Sequence, residues 1–241
     1  NMIGAGIFVT SGLLMELINS TGLMLLLWVV AGIIAWCGAI AYGELGATIP
    51  KAGGEYIFLS ELFHPLLGFL SGWISFIVGF SAPVAASAMG FSEYFTRAFP
   101  ELLTFANDSG ILSAVNMKKS VSIIIILVFT IIHLRGIENS AKVQNWLTIL
   151  KILLVSGLIF IGLTFGNGSL DHFSHPGKFQ FNMNGWKSIG LSLMWIMFAY
   201  SGWNASTYIG SEIKKPVKNI PNSLLLGTGI VILLYIGLNT F

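Results

Sequence analysis

Charge is scarce in this sequence. Charged residues make up 9% of its 241 positions, against about a quarter in ordinary soluble domains. The stretches 23–43, 65–92, 152–170, 188–211 and 219–241 hold no Asp, Glu, Lys or Arg at all. Each reaches or nears the roughly 20 residues that a helix needs to cross a hydrocarbon core. With 55% of the chain hydrophobic, five such runs exclude a soluble domain, because helices apolar all round have no water-facing side. The net charge of +2, with Lys214, Lys215 and Lys218 as the densest basic cluster, excludes a nucleic-acid-binding class. Cys37 is the single cysteine and lies inside an apolar run, so no intrachain disulfide forms and redox compartment is unmarked. His172 and His175 share a polar loop without further ligand types beside them, so no metal site is expected. No cofactor is expected either. The acidic, His and Ser residues of the spans stand apart from one another, unlike the convergent set an enzyme needs. A channel would need a ring or filter of carbonyls or charges.

Seven spans follow from the apolar runs: 1–18, 23–49, 66–95, 120–134, 142–165, 186–212, and a last one from about Pro221. The fourth, with only 15 uncharged residues, must borrow from its flanks to cross. A polar hinge, Pro50-Lys51-Ala52-Gly53-Gly54, leads into a short helix over 55–63, and Pro83 is expected to kink span 3. Trp28, Trp36, Trp73 and Trp186 read as belt or packing residues. The short loops carry Lys51, Arg135, Lys142, Lys214, Lys215 and Lys218, the long ones Arg97, Lys118, Lys119, Lys178 and Lys187. The denser short loops are therefore assigned to the cytoplasm. No signal-peptide pattern opens the chain. It starts at Asn1 in apolar sequence and stops at Phe241 within a helical run, which reads as a piece of a longer protein.

Two spans carry interruptions. Span 1 opens Met2-Ile3-Gly4-Ala5-Gly6-Ile7-Phe8, and span 6 reads Met197-Phe198-Ala199-Tyr200-Ser201-Gly202-Trp203-Asn204-Ala205-Ser206. Paired glycines alone can mean nothing more than close helix packing. A polar, small and aromatic cluster inside an apolar helix is different, because open backbone in hydrocarbon is tolerated only along a cavity or inside protein. Interrupted helices five apart in order are the pattern of inverted-repeat carriers, whose half-helix ends meet at the substrate. Freed N–H groups at such an end can hold a carboxylate, and freed carbonyls an ammonium.

Three motifs, in order, resemble the amino acid–polyamine–organocation superfamily of permeases. They are Gly4-Ala5-Gly6-Ile7-Phe8, then Glu44-Leu45-Gly46-Ala47-Thr48-Ile49-Pro50-Lys51-Ala52-Gly53-Gly54-Glu55-Tyr56, and Phe198-Ala199-Tyr200-Ser201-Gly202-Trp203-Asn204 followed by Gly210-Ser211-Glu212-Ile213-Lys214-Lys215-Pro216 and Ile220-Pro221. The likeness covers the whole chain and is to bacterial relatives of the L-type amino-acid transporters in particular. It implies an all-α membrane protein of the LeuT-type inverted-repeat fold, with broken helices 1 and 6, in a bacterial-type plasma (inner) membrane. The first repeat would fill about 1–165 and the second open at about 186–241, within a single transporter domain. The resemblance also implies that Ala5 and Gly6 N–H groups, between Gly4 and Ile7, hold a substrate carboxylate. Carbonyls of Met2, Ile3, Phe198, Ala199 and Ser201 would take its ammonium, Phe198 would close over it, and Asn204 would lie near the pocket. Ser201 stands where relatives often carry Gly or Asp. L-type relatives bond a heavy chain through a cysteine after span 3. The 97–119 loop has none, so no disulfide-linked partner is implied.

Lys151 is the one charge between 143 and 170. It lies nine residues past Lys142, about 13.5 Å along a helix, and an ionised group at that depth is costly unless its stem snorkels. The resemblance places it beside the span 1 break, where sodium-coupled cousins bind a cation, so that its ammonium substitutes for the ion. Glu44 reads as a gate or packing residue, Glu212 as a solvated helix end, and His133 as an interface histidine. Neither broken segment carries an acidic side chain, so the expected activity is alternating-access transport or exchange of neutral L-amino acids. A basic-amino-acid or polyamine antiporter, and a non-transporting amino-acid sensor, are the alternatives.

Overall fold

Small residues decide where these helices approach. The computed structural model describes residues 2–102, 104, 113–134, 136–166, 179 and 182–240; the loop histidines His172 and His175 and the basic residue Arg135 lie outside them. Among the described residues the secondary structure is helical throughout, with no strand. The helices are α1 (Ala5–Ile18), α2 (Thr21–Thr48), α3 (Glu55–Leu62), α4 (Pro65–Ala98), α5 (Ala114–Leu134), α6 (Ile137–Phe165), α7 (Met183–Tyr200) and α8 (Pro216–Leu238), with a 3-10 segment at Ala205–Glu212. α2, α4, α5, α6 and α8 are long and apolar enough to cross a membrane, and Gly6–Ile18 is a shorter apolar helix. The protein is an integral, multi-pass membrane protein.

Residues 1–69 with 151–241 form one unit, and 70–150 a second. In the first, α2 is the central post. Gly32, Ala35, Ala39, Gly43 and Gly46 recur at helical spacing along its buried side. Between helices in lipid there is little hydrophobic drive, so close backbone approach through small residues does the packing. A Cβ on Gly43 would stand 3.2 Å from the Pro221 Cα of α8, and one on Gly46 2.7 Å from the Ile220 side chain. A Cβ on Gly38 would meet the Trp203 ring at 2.9 Å. The opposite side of α2 presents Leu26, Ile33, Ile34 and Ile40 outward, as a lipid-facing surface should. α1 buries Ile7, Thr10, Leu14 and Ile18, one stripe of the helix, against this core, and stops at Asn19, whose left-handed conformation suits asparagine.

In the second unit, α4 and α5 pack through Ala88, Ser92 and Thr96, three residues at four-residue spacing. Ser92 Oγ donates to the Lys118 carbonyl at 2.7 Å and Ser122 Oγ to the Ala88 carbonyl at 3.2 Å. Glu93 pairs with Lys118 at 2.6 Å and with Arg97 at 3.1 Å. The fourth span borrows its missing length from its N-terminal flank, since α5 starts at Ala114 rather than 120. Pro83 acts through a change of register. Ser75–Ser81 immediately before it is π-helical, which accommodates a residue that has no N–H to give and whose ring crowds the preceding turn.

Candidate functional site

The glycine motif of span 1 lies at the start of α1. Residues 2–4 are not helical, Gly4 is extended (φ −144°, ψ −164°) without a side-chain cap, and α1 begins at Ala5. The N–H groups of Ala5, Gly6 and Ile7 therefore have no carbonyl one turn behind them. The second interruption ends α7 at Tyr200. Ser201 turns the chain out (φ −57°, ψ 151°), and Gly202 takes φ +92°, a conformation costly for any residue with a Cβ. The chain resumes as the 3-10 segment.

The two interruptions touch. A Cβ on Gly6 would stand 3.2 Å from the Ala199 Cα and 3.3 Å from its Cβ, so only glycine lets the two backbones come this close. Met2, Ile3 and Ala199 are buried there. Tyr235 of α8, fully buried, lays its hydroxyl 2.8 Å from the Met2 carbonyl and 3.2 Å from the Ala199 carbonyl. It packs edge-on to Trp28, which also meets Tyr200, and the Tyr200 hydroxyl donates to the Trp28 carbonyl at 3.3 Å. Motif reading passes over Tyr235. A buried tyrosine hydroxyl needs a partner, and its place in an otherwise apolar run of span 7 is the signal that could have found it.

Lys151 of α6 donates from Nζ to the Ile3 carbonyl at 3.2 Å, while the rest of its side chain is exposed. One turn on, Val155 is buried in the same core as Ile3 and Ile7, which fixes the face that α6 presents. Of the carbonyls expected to take an ammonium, Met2 and Ala199 thus share the single Tyr235 O–H donor, Ile3 accepts from Lys151, and Phe198 accepts from the Ser201 N–H at 3.1 Å. Each keeps a second lone pair. Phe198 and Ser201 are exposed beside them. The Asn204 amide donates to the Glu55 carboxylate and, at 3.1 Å, to the Tyr208 hydroxyl. Glu44, Glu212 and His133 are exposed, and the His133 ring Nδ1 sits 2.7 Å from the Phe129 carbonyl.

The family model for amino acid permeases matches residues 1–241. The chain belongs to the amino acid permease family. Within it, this permease chain is 32% identical over 239 residues to the b(0,+)-type amino acid transporter 1 of Mus musculus, covering 99% of the chain and 47% of the relative. It is 31% identical over 242 residues to the large neutral amino acids transporter small subunit 2 of Homo sapiens, covering 99% and 44%. The Asc-type amino acid transporter 1 of Mus musculus is 30% identical over 240 residues, covering 98% and 43%. The permease chain thus spans less than half the length of these relatives.

Proposed function

We propose that the protein containing this chain carries amino acids across a membrane by alternating access, with neutral L-amino acids as substrates, by exchange or secondary active transport. The observation that carries the reading is the contact of two helix interruptions at Gly6 and Ala199, with open backbone from both at one place. In this reading the Ala5 and Gly6 N–H groups, flanked by Gly4 and Ile7, hold the substrate carboxylate. The second lone pairs of the Met2, Ile3, Phe198 and Ala199 carbonyls, with that of Ser201, receive its ammonium, and Phe198 covers the substrate. Lys151 contributes a fixed positive charge at the Ile3 carbonyl, in the place of a coupling cation. The family and the names of the three relatives, all amino acid transporters, support transport as the activity. We take the membrane to be a bacterial-type plasma membrane on the likeness of the motifs. The test is uptake of a radiolabelled amino-acid panel by the full-length protein in proteoliposomes. Saturable uptake of neutral amino acids is expected. Uptake confined to Arg, Lys or polyamines would replace the substrate class, and binding without flux would make the protein a sensor.

A further inference from the structure

The hinge after α2 ends on a carboxylate that no part of the substrate reading uses. Glu55, half-buried in the first turn of α3, accepts from the Asn204 amide, and the phenols of Tyr208 and Tyr42 stand near enough to feel its charge. Asn204 also donates to Tyr208, so one amide ties the carboxylate and the phenol into a single cluster. Around this cluster the backbones meet. The Gly54 N–H donates to the Thr207 carbonyl at 3.3 Å. A Cβ on Gly54, which has φ +54°, would stand 2.6 Å from the Tyr208 ring, and one on Gly210 3.0 Å from the Lys51 carbonyl. Tyr42 packs edge-on to Trp203 and Phe58, at 4.9 Å and 5.7 Å between ring centres, and walls the cluster on its apolar side. The nearby cation is engaged elsewhere, since Lys51 pairs with Glu61. The hinge and the stretch that follows the span 6 interruption are therefore joined by one carboxylate held by neutral donors.

That chemistry suits a joint that opens and closes. Hydrogen bonds of this kind exchange for water at a net cost of about tenfold to a hundredfold in equilibrium for each bond to a charged group. An ion pair would separate two charges instead. We propose that Glu55 is the positioning residue of a latch, and that its bonds hold the post-interruption segment of span 6 against the hinge, closing the substrate site on the hinge face. When they break, the segment leaves the hinge and that face opens. The identity of what the latch closes rests on the carrier reading above.

The test uses the full-length protein in liposomes, with its cysteines, Cys37 included, replaced and Thr207→Cys as reporter. Thr207 is 1% exposed beneath the hinge. A membrane-impermeant maleimide applied from the hinge side labels it only when the latch is open. Asn204→Asp sets two carboxylates face to face and is expected to speed labelling by about tenfold or more. Glu55→Gln alone keeps the shape and removes the charge, with a smaller rise expected. Combining the two exchanges donor and acceptor across the same contact and is expected to return labelling close to the wild-type rate, a rescue that general loosening does not give. Labelling unaffected by both single changes, or a double variant as fast as Asn204→Asp, would overturn the latch. Labelling needs no substrate. Failed uptake with the expected labelling pattern therefore removes the carrier reading alone, and normal uptake with unchanged labelling removes the latch alone.

Discussion

Gly6 lies against Ala199 where the two interruptions meet, and substitutions there have a magnitude that the structure sets. A methyl at this position would sit 3.2 Å from the Ala199 Cα and 3.3 Å from its Cβ, inside the 3.5–4.0 Å at which carbon atoms attract. Gly6→Ala requires a shift of a few tenths of an ångström between α1 and α7. Gly6→Val adds two further methyls, and overpacking of that kind costs roughly 1–3 kcal/mol. Since the same displacement pulls the α1 N–H groups away from the carbonyls of α7, the cost falls on substrate binding. About 1.4 kcal/mol is tenfold, so Gly6→Ala is expected to weaken binding about threefold to tenfold, and Gly6→Val to lose it. Gly12, two turns along the same helix, has nothing within 4 Å of a built Cβ. Gly12→Ala therefore gains helix propensity, up to about 1 kcal/mol, and leaves binding unchanged. The assay is equilibrium binding of labelled substrate to purified full-length protein, with thermal unfolding of each variant alongside. Wild-type affinity in Gly6→Val would refute the reasoning.

Tyr235→Phe removes the hydroxyl shared by the Met2 and Ala199 carbonyls and leaves both buried. A loss of about 1–3 kcal/mol is expected, seen as a lower unfolding midpoint together with weaker substrate binding; an unchanged midpoint would mean the hydroxyl is idle. Phe198 is 52% exposed, so Phe198→Ala should leave the unfolding midpoint nearly unchanged while slowing uptake, and equal kinetics at equal expression would make the ring ordinary surface. Lys215 caps α8 at φ +51°, a left-handed conformation unfavourable to lysine. Lys215→Asn, which tolerates that conformation and caps better, should stabilise the fold by about 1 kcal/mol in denaturant or thermal unfolding; a loss of stability would show that the lysine head group matters more than the backbone.

The chain's membrane class and the end of α7 were legible because they are local. Uncharged runs report length, and Ser201-Gly202 ends α7 through its own backbone preferences. What passes between helices was not legible. Gly32, Gly43 and Gly46 look like any scattered glycines until α8 is laid against them. Tyr235 meets Met2 across 233 positions, and Glu55 meets Asn204 across 149. Nor does the sequence show that the Asn204 amide bonds the hinge carboxylate. Lys151 was intermediate. Its isolation in an apolar run marked it, but only the fold shows that the carbonyl it reaches is that of Ile3. The π-helical stretch before Pro83 likewise depends on how a whole helix absorbs one proline, where sequence alone suggested a kink.

The most direct test of the central claim is uptake of a labelled neutral amino acid into proteoliposomes preloaded with unlabelled substrate, in sodium-free buffer, for the full-length protein and its Lys151→Ala variant. Nζ of Lys151 is bonded to the Ile3 carbonyl, and in the proposed reading its charge takes the place of a sodium ion. The account predicts robust exchange without sodium, no stimulation on adding it, and a severe loss of exchange in Lys151→Ala. Strong sodium stimulation of the wild type, or full exchange by Lys151→Ala, would contradict it.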